Sequence, residues 1–240
     1  MSDVSKPVLP GSAASDYERY LNTDELLALQ KSADQWVHRD ELLFQVTHQS
    51  SELWLKLAGA EIVQATDHVR RGDVAAALRL LRRANQAVVL VTSQIHMLEH
   101  LSPWEYQAIR RVLGHGSGFD SPGFRQVHDA TPLLGEAFMA LVHERGLDLV
   151  TLYQRGREHE DLYQLAEQLI EWDERLTLWR FHHLKLVERI IGGHAIGTQG
   201  TPVEVLGKRM SISYFQPLWE VRNRLTELAT EGRDEPGTQD

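Results

Sequence analysis

The sequence predicts an all-α fold, a helical bundle, on three observations. Apolar residues recur at helical spacing through long segments such as FQVTHQSSELWLKL (Phe44 to Leu57) and VAAALRLLRRANQAVVLVTSQIHMLEH (74–100). Proline and glycine are sparse inside these segments and gather between them. Alternating β-branched residues never persist long enough to suggest a sheet. With 240 residues and no internal repeat, the chain is long enough for one large domain with a substantial core.

The elements follow in order. The first 15 residues are rich in Pro, Ser, Gly and Ala, and residues 232–240 are polar, so both ends are expected to be flexible, leaving a single helical domain over 16–231. A short helix is expected over 23–35, opened by Asn22 or Thr23 with Glu25 close behind, and a long one over 39–71 that stops at Gly72. Asp73 caps the next, which ends at Ser102-Pro103, and Pro103 suits the first turn of WEYQAIRRVL. A Gly-rich loop, GHGSGFDSPGF, leads to helices over 132–145 and 147–155. A long helix over 159–192 ends at Gly192-Gly193, and the loop HAIGTQGTP precedes a final pair over 203–212 and 214–231. Up to four long antiparallel helices can pack as a bundle, a fold that builds cofactor sites from inward side chains on facing helices.

Composition narrows the chemistry. The absence of cysteine excludes a disulfide framework, a thiolate-held metal and a cysteine nucleophile, and it fits a reducing compartment. A formal net charge of -9 argues against affinity for nucleic acid or anionic lipid and favours a small-molecule partner. The start of the chain lacks the charged and apolar regions of a signal peptide, and no segment reaches the roughly 18 apolar residues of a membrane span. A soluble cytoplasmic protein is expected.

Five constellations could carry chemistry. In HMLEH, His96 and His100 share a helical face beside Glu99, a pattern seen in zinc peptidases; the plainer reading is a solvated histidine pair near a helix C-terminus. GHGSGFDSPGF lacks the G-K-[ST] ending of a phosphate loop, and it is either a connector or a cover over a pocket. In LWRFHHLKLVERIIG, His183 shares its face with Leu176, Trp179, Val187 and Ile190 and so points inward, as a core residue or a ligand, whereas His182 lies with Arg175, Lys185 and Arg189. Near Phe44, the polar His48, Gln49 and Glu52 interrupt an apolar helix, which means an internal hydrogen-bond network or a pocket lining. Finally, Tyr106 and Arg110 at i, i+4 put a phenol and a guanidinium on one face, either a carboxylate clamp or a surface stack.

Together these segments resemble the tryptophan 2,3-dioxygenase family, haem enzymes that open the indole ring of tryptophan to N-formylkynurenine. The resemblance begins at DYERYL (16–21) and is densest at HRDELLFQVTHQSSELWLKL (38–57). It returns at SPWEYQAIRRVLG and SGF, and again at WRFHHLKLVERIIG followed by GTQGT. It implies haem b bound between long antiparallel helices, with His183 as proximal ligand to the iron and Trp179, Ser117 and Gly118 lining the cofactor. It implies that His48 is the distal histidine that accepts the indole N–H, that Phe44 packs on the indole, and that Tyr106 and Arg110 hold the substrate carboxylate. Thr198 would meet the substrate ammonium, and Tyr17, Tyr20 and Leu21 would reach a neighbouring subunit's pocket in a homotetramer, or in a dimer as the smaller assembly. The implied partners are L-tryptophan or a related indole amino acid, and dioxygen.

The sequence also departs from that family. Only 76 residues separate Tyr106 from His183, fewer than the family has. SGF continues as DSPGFRQ where the family prefers Gln after the Phe, and GTQGTP stands where it prefers GTGG, so Gln199 replaces a glycine. Both changes fall in loops expected to cover the substrate, which admits a substituted tryptophan. They also admit a monooxygenase that gives an oxindole or hydroxyindole. A non-catalytic haem carrier and a zinc hydrolase built on HMLEH are the readings from other classes.

Overall fold

The computed structural model describes residues 6–208, 210 and 212–231; the tail expected over 232–240 lies outside them, as do residues 1–5. Among the described residues are ten α-helices and one isolated β-bridge. Two short helices open the chain, α1 (Asp16–Leu21) and α2 (Thr23–Leu27). Ser15 and Glu18 close a capping box at the start of α1. Val8 and Leu9 donate their backbone N–H groups to Asp16 at 2.7–3.0 Å, and this folds the preceding segment back on the helix.

The helix expected over 23–35 divides into α2 and a 3-10 turn at Ala33–Gln35. Side chains of the next helix capture the chain between them: Gln30 donates to Gln49 at 2.6 Å, and the Lys31 N–H donates to Gln45 at 2.9 Å. These tertiary bonds replace the helical ones that local propensity favours.

Helices α3 (Glu41–Arg70), α4 (Val74–Leu98), α6 (Pro122–Glu144) and α8 (Glu160–Ile191) form the bundle, with α3 packed on α4 and α6, and α4 on α8. Leu55, Ala58, Ile62, Ala65 and Val69 lie one turn apart along α3 and are buried, as helical periodicity requires. They meet Leu81 and Val88 of α4, Phe138 of α6, and Leu165, Leu169 and Trp172 of α8 in one core. Each fully buried Leu or Ile contributes roughly 1.5–3 kcal/mol of transfer free energy. Trp172 satisfies its indole N–H on Thr131 at 3.1 Å, so the bulkiest core side chain leaves no polar group unpaired.

The largest departure from expectation is α6, which starts at Pro122 and not near 132. Ser121 accepts from the Phe124 N–H at 3.1 Å and Pro122 takes the first turn, a proper helix start inside the supposed loop. Pro132 then sits within the helix on its exposed side, where a carbonyl without its helical donor can meet water. Short α5 (Tyr106–Val112), α7 (Leu149–Gln154) and α9 (Glu204–Lys208) connect the long elements, and α10 (Gln216–Glu231) closes the chain. Its entry is fixed by the buried Asp173 of α8, which accepts from the Ser213 hydroxyl, the Tyr214 and Phe215 amides and the Trp219 indole. No helix among the described residues is long and apolar enough to cross a membrane.

A second apolar cluster lies where α4, α5 and the C-terminal part of α8 converge. Ile95, Leu98, Leu101, Leu186 and Ile190 are buried there, with Phe44, Tyr106 and Trp179 packed against them. Phe44, Tyr106 and Trp179 thus join three of the predicted site segments around one apolar cluster.

Candidate active site

Helix α3 contributes Phe44 and His48, one turn apart, with ring centroids 4.1 Å from each other. The His48 Nδ1 lies 2.7 Å from the Phe44 carbonyl oxygen. A carbonyl only accepts, so Nδ1 carries the proton and donates it, and in the neutral ring Nε2 is left with a free lone pair. His48 has one side open to solvent, yet protein atoms crowd it enough that burial is the main influence on its pKa. That burial holds the pKa below the usual histidine value, against the raising effects of the Phe44 carbonyl and Glu52. Nε2 is therefore an acceptor at neutral pH.

Helix α8 contributes His183, whose ring stacks on Trp179 with centroids 5.1 Å apart and planes 8° apart. Phe124 of α6 covers Trp179 in turn at 3.9 Å. Burial, and then the proximity of His48, push the His183 pKa down to about 4, so this imidazole is also neutral. His48 stands near enough to add to that lowering, so the two histidines share one neighbourhood. Among the described residues none hydrogen-bonds to His183. A Cβ added at Gly118 would stand 3.9 Å from its Cε1 and 4.0 Å from its Nε2, in ordinary contact, so the Gly-rich loop lies close beside that edge of the ring. A neutral imidazole without a hydrogen-bond partner among the described residues has the chemistry of a residue that would hold haem iron.

Helix α5 brings Tyr106 and Arg110. Tyr106 lies 6.0 Å from Phe44 between ring centroids; burial raises its pKa and the nearby Arg110 opposes that rise. Arg110 donates from Nη2 to the carbonyl of Ile196, which joins α5 to the loop that carries Thr198.

That loop is a small hairpin. Ile196 and Pro202 form an antiparallel bridge, Gly197 donates to the Thr201 carbonyl at 2.8 Å, and Gly200 donates to the Gly197 carbonyl at 2.9 Å. The left-handed position falls on Gly200, with φ +76°, the pattern of a type I turn followed by a glycine bulge. Gln199 thus occupies a turn position that any L-residue can adopt, which explains why this chain tolerates it there. At the tip, the Thr198 hydroxyl donates to the Gly116 carbonyl at 2.5 Å and Gln199 Nε2 donates to Asp120 at 2.7 Å.

The Gly-rich loop is held from its other end by Glu52 of α3, which accepts from the Ser121 hydroxyl at 2.5 Å and the Gly123 N–H at 2.9 Å. A Cβ at Gly123 would lie 2.6 Å from Leu55 Cβ, so only glycine permits this approach of α6 to α3. The polar residues of the Phe44 helix therefore divide their tasks. Gln49 binds the N-terminal segment, Glu52 fixes the loop, and His48 bonds back to the Phe44 carbonyl beside the Phe44 ring.

Phe44, His48, Tyr106, Arg110, Gly118, Trp179, His183 and Thr198 are linked through these contacts into one cluster, the candidate site. Ser117 borders it as the cap of a 3-10 turn, its Oγ accepting from the Phe119 N–H at 3.3 Å. Tyr17 and Tyr20 are 70% and 78% exposed on α1, and Leu21 is exposed beside them. In HMLEH, His96 pairs with Glu99 at 3.2 Å and packs edge-on against His182 at 5.7 Å, but the described residues bring no metal-binding trio together there. A separate groove of about 370 Å³, lined by Pro132, Phe138, Met139, Phe215 and Leu218, shares no residue with the site. Two participants were not singled out from the sequence, Phe124 and the Ile196 carbonyl, and Asp120 was marked only as a departure from the family's pattern. Only Asp120 carried a local signal, the Ser117-x-x-Asp120 capping spacing.

The family model described as tryptophan 2,3-dioxygenase matches the chain over residues 2–136 and 125–225, two stretches that overlap in α6. The tryptophan 2,3-dioxygenase of Shewanella woodyi is 32% identical over 260 aligned residues, covering 87% of this chain and 90% of the relative. Those of Saccharopolyspora erythraea and Bacillus cereus are 31% and 32% identical, each covering 87% of this chain and 92% of the relative. Each alignment is longer than the 240-residue chain, so the relatives carry residues that have no counterpart here. A likeness that runs through every helix of the bundle, and over nine-tenths of the relatives' own length, makes this chain a member of the tryptophan 2,3-dioxygenase family of oxidoreductases.

Proposed function

We propose that the chain is a haem-dependent dioxygenase that inserts dioxygen across the indole C2–C3 bond of L-tryptophan, or of a substituted tryptophan, giving N-formylkynurenine. One observation carries the reading: the neutral imidazoles of His48 on α3 and His183 on α8 are near neighbours, and the Phe44 ring beside His48 also packs 6.0 Å from Tyr106, next to Arg110. The name shared by its relatives supports the same assignment.

In this reading His183 holds the iron of haem b, Trp179 keeps the imidazole plane fixed, and Ser117 and Gly118 border the group. Bound there, haem supplies the redox centre at which dioxygen is activated. His48 Nε2 accepts the indole N–H, because its other nitrogen is already committed to the Phe44 carbonyl. Phe44 packs against the indole. The Arg110 guanidinium takes the substrate carboxylate, exchanging the neutral Ile196 carbonyl for a charged acceptor, and the Tyr106 hydroxyl adds a further hydrogen bond. Thr198 meets the ammonium group. These contacts orient the indole C2–C3 bond, and positioning of that kind accounts for a large part of an enzymatic rate. The exposed Tyr17, Tyr20 and Leu21 complete the pocket of a neighbouring copy in a homotetramer.

The test is aerobic incubation of the reduced, haem-loaded protein with L-tryptophan under labelled dioxygen. N-formylkynurenine with two labelled oxygens is expected. A product with one labelled oxygen would make the chain a monooxygenase, and a haem-bound protein that leaves tryptophan unchanged would make it a carrier.

A further inference from the structure

Asp120 is bound to more than its own turn. Its Oδ2 accepts from the Ser117 N–H at 3.1 Å and also from Gln199 Nε2 at 2.7 Å. The first bond closes the 3-10 turn Gly118–Asp120, which sets Gly118 beside His183. The second reaches across 79 residues to the tip of the hairpin. Next to it, Thr198 makes the other tip contact, to the Gly116 carbonyl. The two loops are therefore joined at two adjacent points, and the side-chain pair is made of the residues at which this sequence departs from its family's pattern.

We propose that Gln199 and Asp120 are positioning residues that join the two pocket loops before substrate arrives, so that Thr198 and the Ser117–Gly118 edge form one preassembled wall. The chemistry of the pair favours this role. A carboxylate acceptor makes the bond charge-assisted, and the Gln199 amide spans the gap without bringing a second charge to the pocket mouth. Ordering the loops in advance removes part of the entropy that substrate binding must otherwise overcome. The proposal rests on the dioxygenase reading only for the identity of the substrate; the joining of the loops does not depend on it.

The test compares Gln199→Ala, Gln199→Glu and Gln199→Lys in the full-length chain, because one position then carries no bond, a repulsive charge or an ion pair with Asp120. The first readout is amide hydrogen exchange of residues 114–121 and 195–203 in the protein without substrate. Exchange in both loops is expected to rise about ten- to a hundredfold in Gln199→Ala, the factor set by one hydrogen bond to a charged group, and further in Gln199→Glu. Gln199→Lys should return it toward the parent level at low salt and lose that protection at high salt. The second readout is the KM for L-tryptophan, which should rise in Gln199→Glu more than kcat falls and recover in Gln199→Lys. Equal exchange in all four proteins, or the same behaviour in the Glu and Lys variants, overturns the proposal. Exchange that follows the charge in a protein without activity on tryptophan supports the joined loops and refutes the substrate assignment instead.

Discussion

Trp179 lies flat on His183, their planes within 8° and their centroids 5.1 Å apart, one turn from each other on α8. Backed by Phe124, the indole leaves the imidazole little freedom to rotate, so its free edge keeps one orientation. His183→Ala is expected to abolish haem binding or its normal ferrous spectrum, whereas His48→Ala retains the haem. Trp179→Ala should weaken haem retention and cost about 2–4 kcal/mol of stability, as large-to-small changes at packed aromatics do. Haem titration followed by absorption, with urea unfolding of each variant, checks both; the opposite assignment of the two histidines would mean that the faces are exchanged.

Protonation provides a second check, on the cofactor-free chain. The His183 pKa is pushed from 6.5 down to about 4, so between those values the unfolded chain binds the proton and the folded chain does not. Stability from this group is complete above about pH 6.5 and is lost as the pH falls toward 4, on the order of 3 kcal/mol across the window. Unfolding free energies measured from pH 7 to 4.5 should fall more steeply for the parent chain than for His183→Phe. Parallel curves would show that the imidazole is not buried as described.

Arg110 donates to the Ile196 carbonyl, and in the proposed function it would exchange that acceptor for the substrate carboxylate. Arg110→Ala is expected to raise the KM for L-tryptophan by about ten- to a hundredfold, the range for a hydrogen bond to a charged group, with haem content unchanged. Arg110→Lys should recover only part of this, because an ammonium cannot reproduce the planar fork. Steady-state kinetics decide it, and an unchanged KM in Arg110→Ala would remove the residue from the carboxylate site.

The long helices could be read from the sequence because their apolar faces are continuous and their ends carry ordinary caps, as at Asp73 and Gly72. The inward direction of His183 followed from the same periodicity. The start of α6 could not be read that way, because Ser121-Pro122 and Thr131-Pro132 both read locally as helix starts and the glycines around the first favour a loop; the close packing of Gly123 on Leu55 of α3 goes with the earlier one. The bonds from Gln30 and Lys31 to α3 likewise join residues 14 to 19 positions apart, beyond any local pattern. Site roles came from the resemblance, while the tautomer of His48 and the pairing of Gln199 with Asp120 needed coordinates.

Glu52 provides the last prediction. It stands one turn after His48 and holds the N-terminus of α6 by two hydrogen bonds, one to the Ser121 hydroxyl and one to the Gly123 amide. A carboxylate at a helix N-terminus is further favoured by the helix dipole. Because Gly123 is buried, removing the acceptor strands a backbone donor, so Glu52→Ala is expected to cost about 2–4 kcal/mol. Glu52→Gln keeps one acceptor oxygen and should cost less, about 1–2 kcal/mol. Both substitutions should also loosen the Gly-rich loop next to His183, seen as faster exchange of the amides from 114 to 123. Urea denaturation of the two variants beside the parent chain measures the costs, and equal stability of all three would show that the loop is held by other contacts.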